Sequence, residues 1–233
     1  MKKVKLGGMN SVVFFTGAGM SKESGVPVYR GQGGIWNEYP WEEVACEDAF
    51  QRDAKRVLDF HEKRRGLVMD CQPHAGHYHL AELEKAGAPI TIVTQNIDGM
   101  HQRAGSKHVL ELHGSLFRVR CGCPKTTETP GVAFPYRTCP TCGEAVRPDI
   151  TWFGDSLDMT VFEEATQAIS GCDLFVSIGT SGVVWPAAGL PEVAEKSGAI
   201  MIEINPEEGP QSHLFHRHIR MPASQSVLEA FSL

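Results

Sequence analysis

The chain of 233 residues is long enough for one large domain, or for one domain carrying a modest insertion. Its 42% hydrophobic share can build a packed core, and a net charge of −6, from 22 basic and 28 acidic side chains, gives no electrostatic reason to expect nucleic acid as a partner. No run approaches the roughly 20 apolar residues of a membrane span, and the opening residues 1–8 lack the apolar stretch of a signal peptide, so a soluble, cytoplasmic, monomeric protein without a membrane partner is expected.

In chain order, apolar β-prone runs fall at 11–15, 89–94, 107–112, 173–178 and 199–204. Helical segments are expected at 77–85, 159–169, 186–196 and 224–231. Short buried strands alternating with helices imply an α/β fold, a Rossmann-like, doubly wound and mostly parallel sheet. Two segments break the pattern. Residues 31–72 are polar, with helix expected over 49–69, and residues 117–149 hold four clustered cysteines among Gly and Pro. Both are expected as insertions forming a smaller lobe, one helical and one zinc-ribbon-like. The expected division is a Rossmann-like domain from 1–30, 73–116 and 150–233, and a small domain from 31–72 and 117–149.

Three of the runs end in polar chemistry. The first leads into Thr16-Gly17-Ala18-Gly19-Met20-Ser21, a glycine-rich turn where bare backbone can approach a phosphate and a following helix N-terminus favours its charge. Lys22 stands where the third glycine of the usual dinucleotide fingerprint would fall. The second run ends in Thr94-Gln95-Asn96-Ile97-Asp98 and the third in His113-Gly114. Ligands of open α/β sheets bind outside the carboxyl ends of the strands, so these clusters can share one crevice. Taken singly, each has a plainer reading: a strand-to-helix turn, a cap, a core histidine, or an Asx turn at Asn205-Pro206.

The ordered set is more specific than its parts. Gly17-Ala18-Gly19-Met20-Ser21, Ser24-Gly25-Val26-Pro27, Tyr29-Arg30-Gly31, Thr94-Gln95-Asn96-Ile97-Asp98, His113-Gly114, Arg147-Pro148, Trp152-Phe153-Gly154 and Gly179-Thr180-Ser181 follow one another as in sirtuins. From about residue 11 to 233 the chain resembles these NAD-dependent protein lysine deacylases. The resemblance implies NAD held by Gly17, Ala18, Gly19 and Ser21, by Gly179, Thr180 and Ser181 at the phosphates, by Asn205 at the adenosine ribose and by Ala223 at the adenine. In that family the acyl oxygen attacks the nicotinamide ribose, nicotinamide leaves, and O-acyl-ADP-ribose forms. His113 matches the base, Asn96 the residue orienting ribose or water, Asp98 the acceptor for the carboxamide, and Gln95 a neighbour of the ribose. Arg30 matches an arginine near the phosphates. Tyr29 departs from the family's phenylalanine by one added hydroxyl. An acyl-lysine protein or peptide is expected as an added strand between walls formed by Trp152, Phe153 and Gly154 and by Val184; core packing is the plainer role for either aromatic.

Cys121-Gly122-Cys123 and Cys139-Pro140-Thr141-Cys142 supply four thiols for a structural zinc, although the first pair is spaced more tightly than usual. Free thiols are the alternative. Finally, a sirtuin subgroup that prefers succinyl, malonyl and glutaryl groups carries Tyr-x-x-Arg where this chain has His61 and Arg64, and a small residue where Ala45 stands. Arg64 can grip a carboxylate, and His61 can donate to one, more strongly when protonated, unless Arg64 is merely a solvated helix charge. The expected function is NAD-dependent deacylation, including desuccinylation. ADP-ribosyl transfer and a binding module without turnover are the alternatives.

Overall fold

The computed structural model describes residues 2–124 and 126–233; residue 1 of the expected nucleotide domain and residue 125 of the cysteine-bearing insertion lie outside them. The strands are β1 (Val4–Lys5), β2 (Val12–Thr16), β3 (Ile90–Thr94), β4 (Val109–Glu111), β5 (Gly114–Arg120), β6 (Thr127–Glu128), β7 (Arg147–Ile150), β8 (Leu174–Ile178), β9 (Ile200–Ile204), β10 (Arg217–Ile219) and β11 (Phe231–Ser232).

Six of them form one sheet in the order β10-β9-β8-β2-β3-β4, with every neighbouring pair parallel. β2 shows why the runs read as continuously apolar rather than alternating. Val12 and Phe14 enter the core on one face, with Leu80 and Leu83 of helix Ala75–Lys85 and Val227 of helix Ala223–Ala230. Val13 and Phe15 enter the core on the other face, with Ala165 and Ile169 of helix Met159–Ser170 and Leu190 of helix Leu190–Lys196. A strand covered on both faces needs apolar residues at both parities.

β2 has β3 on one side and β8 on the other, so the chain order reverses here, and this switch point opens a crevice at the carboxyl ends. The register brings those ends level, with Thr16 opposite both Thr94 and Ile178, and Ile178 opposite Ile204. All turns that follow these strands therefore emerge on one edge.

A second core packs the two insertions together, uniting Val57, Leu58 and Phe60 with Leu116, Val119, Val146 and Trp152. β6, β5 and β7 make its antiparallel sheet. The single helix expected over 49–69 is two, Glu47–Arg52 and Ala54–Asp70. Asp53 interrupts it, its side chain accepting from the Arg56 amide at 3.0 Å, because a short carboxylate satisfies an open helix start better than a helix interior. Arg65 of the longer helix is fully buried between Phe117 and Phe134. Its guanidinium donates to the carbonyls of Leu116, Thr129 and Gly131 and to Thr129 Oγ1. The insertions are thus joined by this buried cation, by the ion pairs of Arg137 with Asp59 and Glu62 and of Arg147 with Glu47, and by apolar packing.

Candidate active site at the switch point

A cavity of about 1280 Å³ lies between the carboxyl edge of the sheet and the small-lobe residues. Gly17, Ala18 and Gly19 line it from the first turn, with Tyr29 and Arg30 just beyond. Gln95, Asn96 and His113 line it from the turns after β3 and β4. Gly179, Thr180, Ser181 and Val184 follow β8, and Asn205 and Ala223 close the far end. From the small-lobe side come Ala45, His61 and Arg64, and from the segment after β7 come Trp152, Phe153 and Gly154. The sequence reading missed Phe60, Leu116 and Ile150 on the same wall, because apolar residues carry no signal that separates lining from core.

Two expected cofactor residues sit behind the main cavity. Ser21 is fully buried, its hydroxyl 3.4 Å from His77 Nε2 and accepting from Asn96 Nδ2 at 3.4 Å. Asp98 lines a smaller adjoining pocket with Ala18, Tyr29, Arg64 and Asn96. One oxygen accepts from the Met100 amide at 2.9 Å, and burial raises its pKa above the ordinary carboxylate value.

The glycine turn needs its glycines for a reason beyond the one expected. A Cβ on Gly17 would lie 2.8 Å from the Gly179 carbonyl, one on Gly19 would lie 2.7 Å from Gly179 Cα, and Gly179 itself has φ +61°. The requirement is first that two strand-end turns pack on each other, and the cavity floor is the result. The expected helix after the turn is also shorter: one turn at Ala18–Ser21, then a 3-10 turn at Lys22–Ser24. Bare backbone, rather than a long helix dipole, is what this turn offers an anion.

His113 is oriented by the backbone. Its Nδ1 donates to the Gln95 carbonyl at 3.0 Å, since a carbonyl only accepts, and this leaves the Nε2 lone pair free. Burial lowers its pKa, opposed by that hydrogen bond, so the ring is a neutral acceptor at pH 7. Asn96 Nδ2 donates to the Gly17 carbonyl at 2.9 Å, tying the second turn to the first. Beneath them Thr94 Oγ1 receives the Asn96 amide at 3.0 Å and the Thr16 hydroxyl at 2.8 Å. With its hydrogen so used, Thr16 accepts from His101 Nε2 at 3.1 Å, a support that sequence reasoning did not find. Asn205 Nδ2 donates to the Thr180 carbonyl at 3.1 Å, joining the turns after β9 and β8.

The small-lobe wall is built from aromatic rings and cations. Arg64 is 5% exposed, stacks 5.0 Å from the Tyr29 ring, and has a buried Nε without a hydrogen-bond partner. Arg30 lies 5.9 Å from the Phe153 ring. Trp152 is 3% exposed and donates its Nε1–H to His61 Nε2 at 3.2 Å. That bond corrects the expectation that His61 donates to an acyl carboxylate more strongly when protonated. Burial, reinforced by Arg64 and Arg147 and opposed by a backbone contact with Val44, pushes its pKa down to about 3, and Nε2 is occupied as an acceptor.

Cys121 and Cys123 leave the end of β5, and Cys139 and Cys142 meet them across the loop before β7, all four sulfurs within 4.8 Å of one another. A tetrahedral zinc with Zn–S bonds of about 2.3 Å requires sulfurs about 3.8 Å apart, and Cys123 and Cys139 stand at 3.7 Å. The set, the tight first pair included, is compact enough to hold such an ion, and four thiolates around it would leave no open position for chemistry.

With this geometry in place, the comparisons agree. The model of the Sir2 family matches residues 17–186. The chain is 40% identical over 229 residues to the NAD-dependent protein deacylase of Aquifex aeolicus, covering 95% of this chain and 94% of that one. A mutant Sir2 homologue in complex with ADP-ribose superposes with a TM-score of 0.92 at 38% identity, over 96% of this chain and 91% of the other. A Sir2 mutant with a deacetylated p53 peptide and 3′-O-acetyl-ADP-ribose superposes with a TM-score of 0.85 at 31% identity, over 96% and 93%. The class is an α/β enzyme fold with a nucleotide crevice at its switch point and a zinc lobe beside it. This chain belongs to the Sir2 family.

Proposed function

We propose that the chain removes acyl groups from protein lysines using NAD. The observation that carries this reading is His113, a neutral imidazole anchored through Nδ1 on the Gln95 carbonyl at the wall of the crevice. NAD, when bound, supplies an ADP-ribosyl acceptor for the acyl group, so the products are nicotinamide, free lysine and O-acyl-ADP-ribose. The Gly17–Gly19 and Gly179–Ser181 turns receive its phosphates on bare backbone, and Asn205 and Ala223 its adenosine end. Asn96 and Gln95 sit beside the ribose, and Asp98 presents its carboxylate to the carboxamide from the adjoining pocket. His113 Nε2 takes the proton from a ribose hydroxyl. The acyl-lysine segment enters as a strand between Phe153 with Gly154 and Val184, its main chain giving affinity independent of sequence.

The finer part of the proposal is a preference for acidic acyl groups. Its support is Arg64, a nearly buried guanidinium on the cavity wall that enters no salt bridge among the described residues. Such a cation gains most from a bidentate carboxylate. Incubation with NAD and acetyl-, succinyl- and glutaryl-lysine peptides, followed by mass spectrometry, tests both parts. Equal amounts of nicotinamide and O-acyl-ADP-ribose are expected, with faster turnover of the acidic peptides. ADP-ribose attached to protein without acyl loss would establish transfer instead, and absence of nicotinamide release would leave only a binding module.

A further inference from the structure

The Trp152 indole is fixed from three directions. Arg147 lies 3.5 Å from its ring centroid, Phe50 lies 5.5 Å away, and the near-parallel His61 ring, at 16°, accepts its Nε1–H. Arg147 is itself clamped, donating to Asp155 Oδ2 at 2.6 Å and to Glu47 Oε2 at 2.6 Å. Asp155 Oδ2 also accepts the Trp152 backbone amide at 3.1 Å, so one carboxylate holds both the ring's partner and its main chain.

An indole nitrogen can only donate, so His61 Nε2 must be the unprotonated nitrogen and the ring proton lies on Nδ1. Protonating the ring would break this bond. It would also set a fourth cation beside Arg64 and Arg65 of its own helix and Arg147 of β7. Of the carboxylates around this cluster, Glu47 and Asp155 are already committed to Arg147, Glu62 faces Arg65, and Asp98 lies beside Arg64 in the adjoining pocket, its oxygen held by the Met100 amide.

We propose that Trp152 is a specificity-determining positioning residue: held by Arg147, its indole N–H fixes His61 as the neutral Nδ1–H tautomer, so Arg64 meets the far end of the acyl chain without a second, titrating cation. This rests on the deacylase reading for its substrate, but the tautomer itself does not. The acidic-acyl to acetyl ratio of kcat/KM then stays flat between pH 6 and about 8, because the locked ring does not change charge there.

Trp152→Phe keeps an aromatic face for Arg147 and removes the donor. Phenylalanine is also smaller than the indole, so His61 gains solvent from the cavity, the burial that chiefly depresses its pKa is relieved, and as pH falls a second cation joins Arg64. The succinyl-to-acetyl ratio of this variant is expected to rise several-fold from pH 8 to 6. Trp152→Phe combined with His61→Gln should return the ratio to flat, since glutamine does not titrate. The companion measurement is nitrogen-15 NMR of the His61 ring in the wild-type protein. A neutral Nδ1–H pattern unchanged from pH 5.5 to 8 is expected, and titration inside that window overturns the lock. A flat ratio in Trp152→Phe, with its His61 ring seen to titrate, overturns the role in specificity. If no peptide is turned over, the deacylase reading fails, while the ring spectrum still decides the tautomer.

Discussion

On the sheet side of the cleft, Asn96, Asp98 and His113 are each anchored by backbone before any ligand arrives, through the Gly17 carbonyl, the Met100 amide and the Gln95 carbonyl. On the small-lobe side, Arg64 Nε is buried with no hydrogen-bond partner among the described residues. The first arrangement fixes directions, which is what proton transfer and ribose positioning require. The second leaves a cation under-satisfied, at a cost of roughly 1–3 kcal/mol per buried group, and that cost is recovered when a ligand supplies the acceptor. On the proposed function, one wall would serve the reaction common to all substrates, and the other the choice among them.

The largest effect should come from the sheet side. His113→Ala is expected to lower kcat/KM by about 10²–10⁴-fold for acetyl and succinyl peptides alike, with the melting temperature little changed. A loss confined to one acyl group would break the division between the walls. Next in size, a strong chelator should strip one zinc per chain, lower the melting temperature and remove most activity with every peptide, because the thiolates hold together a segment too polar to fold alone. Activity and melting unchanged after metal loss, measured by atomic absorption, would remove the structural role. Arg64→Met sharpens the contrast from the other wall. Desuccinylation should fall by about ten-fold or more, consistent with loss of a charged hydrogen bond, while deacetylation stays within about two-fold. Equal losses on both peptides would return Arg64 to a general structural role.

The smallest effect is a pH dependence of stability. His61 and His101 are buried neutral, and burial pushes both down to about 3. Their folded values lie below the unfolded value near 6.5, so the stability they contribute is complete above that pH and is lost as pH falls toward 3. Urea denaturation at pH 7 and 5.5 should show a decrease of about 1 kcal/mol for each ring. Stability that rises on acidification over this interval would contradict their burial as neutral rings.

The sequence makes the central strands legible because a doubly covered parallel sheet demands uninterrupted apolar runs, as in Val12–Thr16 and Leu174–Ile178. It also places Gln95, Asn96, Asp98 and His113 where such runs stop, and the structure brings Gln95, Asn96 and His113 to one cavity with Asp98 in a smaller pocket beside it. β10 escapes notice because it is three residues long and lies at the edge. The packing of the glycines is missed for a physical reason: their close neighbour is Gly179, and no local pattern reveals that the two turns touch. His61 is misread likewise. Its neutral state comes from burial beside Arg64 and Arg147, and its tautomer from Trp152, 91 positions away in sequence.

Arg65 carries a consequence for anyone exchanging parts between related chains. Its donors are divided among carbonyls at Leu116, Thr129 and Gly131, all reached from a helix more than forty residues upstream. Transplanting either insertion alone would strand a sealed guanidinium without acceptors, a penalty of about 3–5 kcal/mol that rivals the whole margin of many domains. Chimeras must move both segments as a single module.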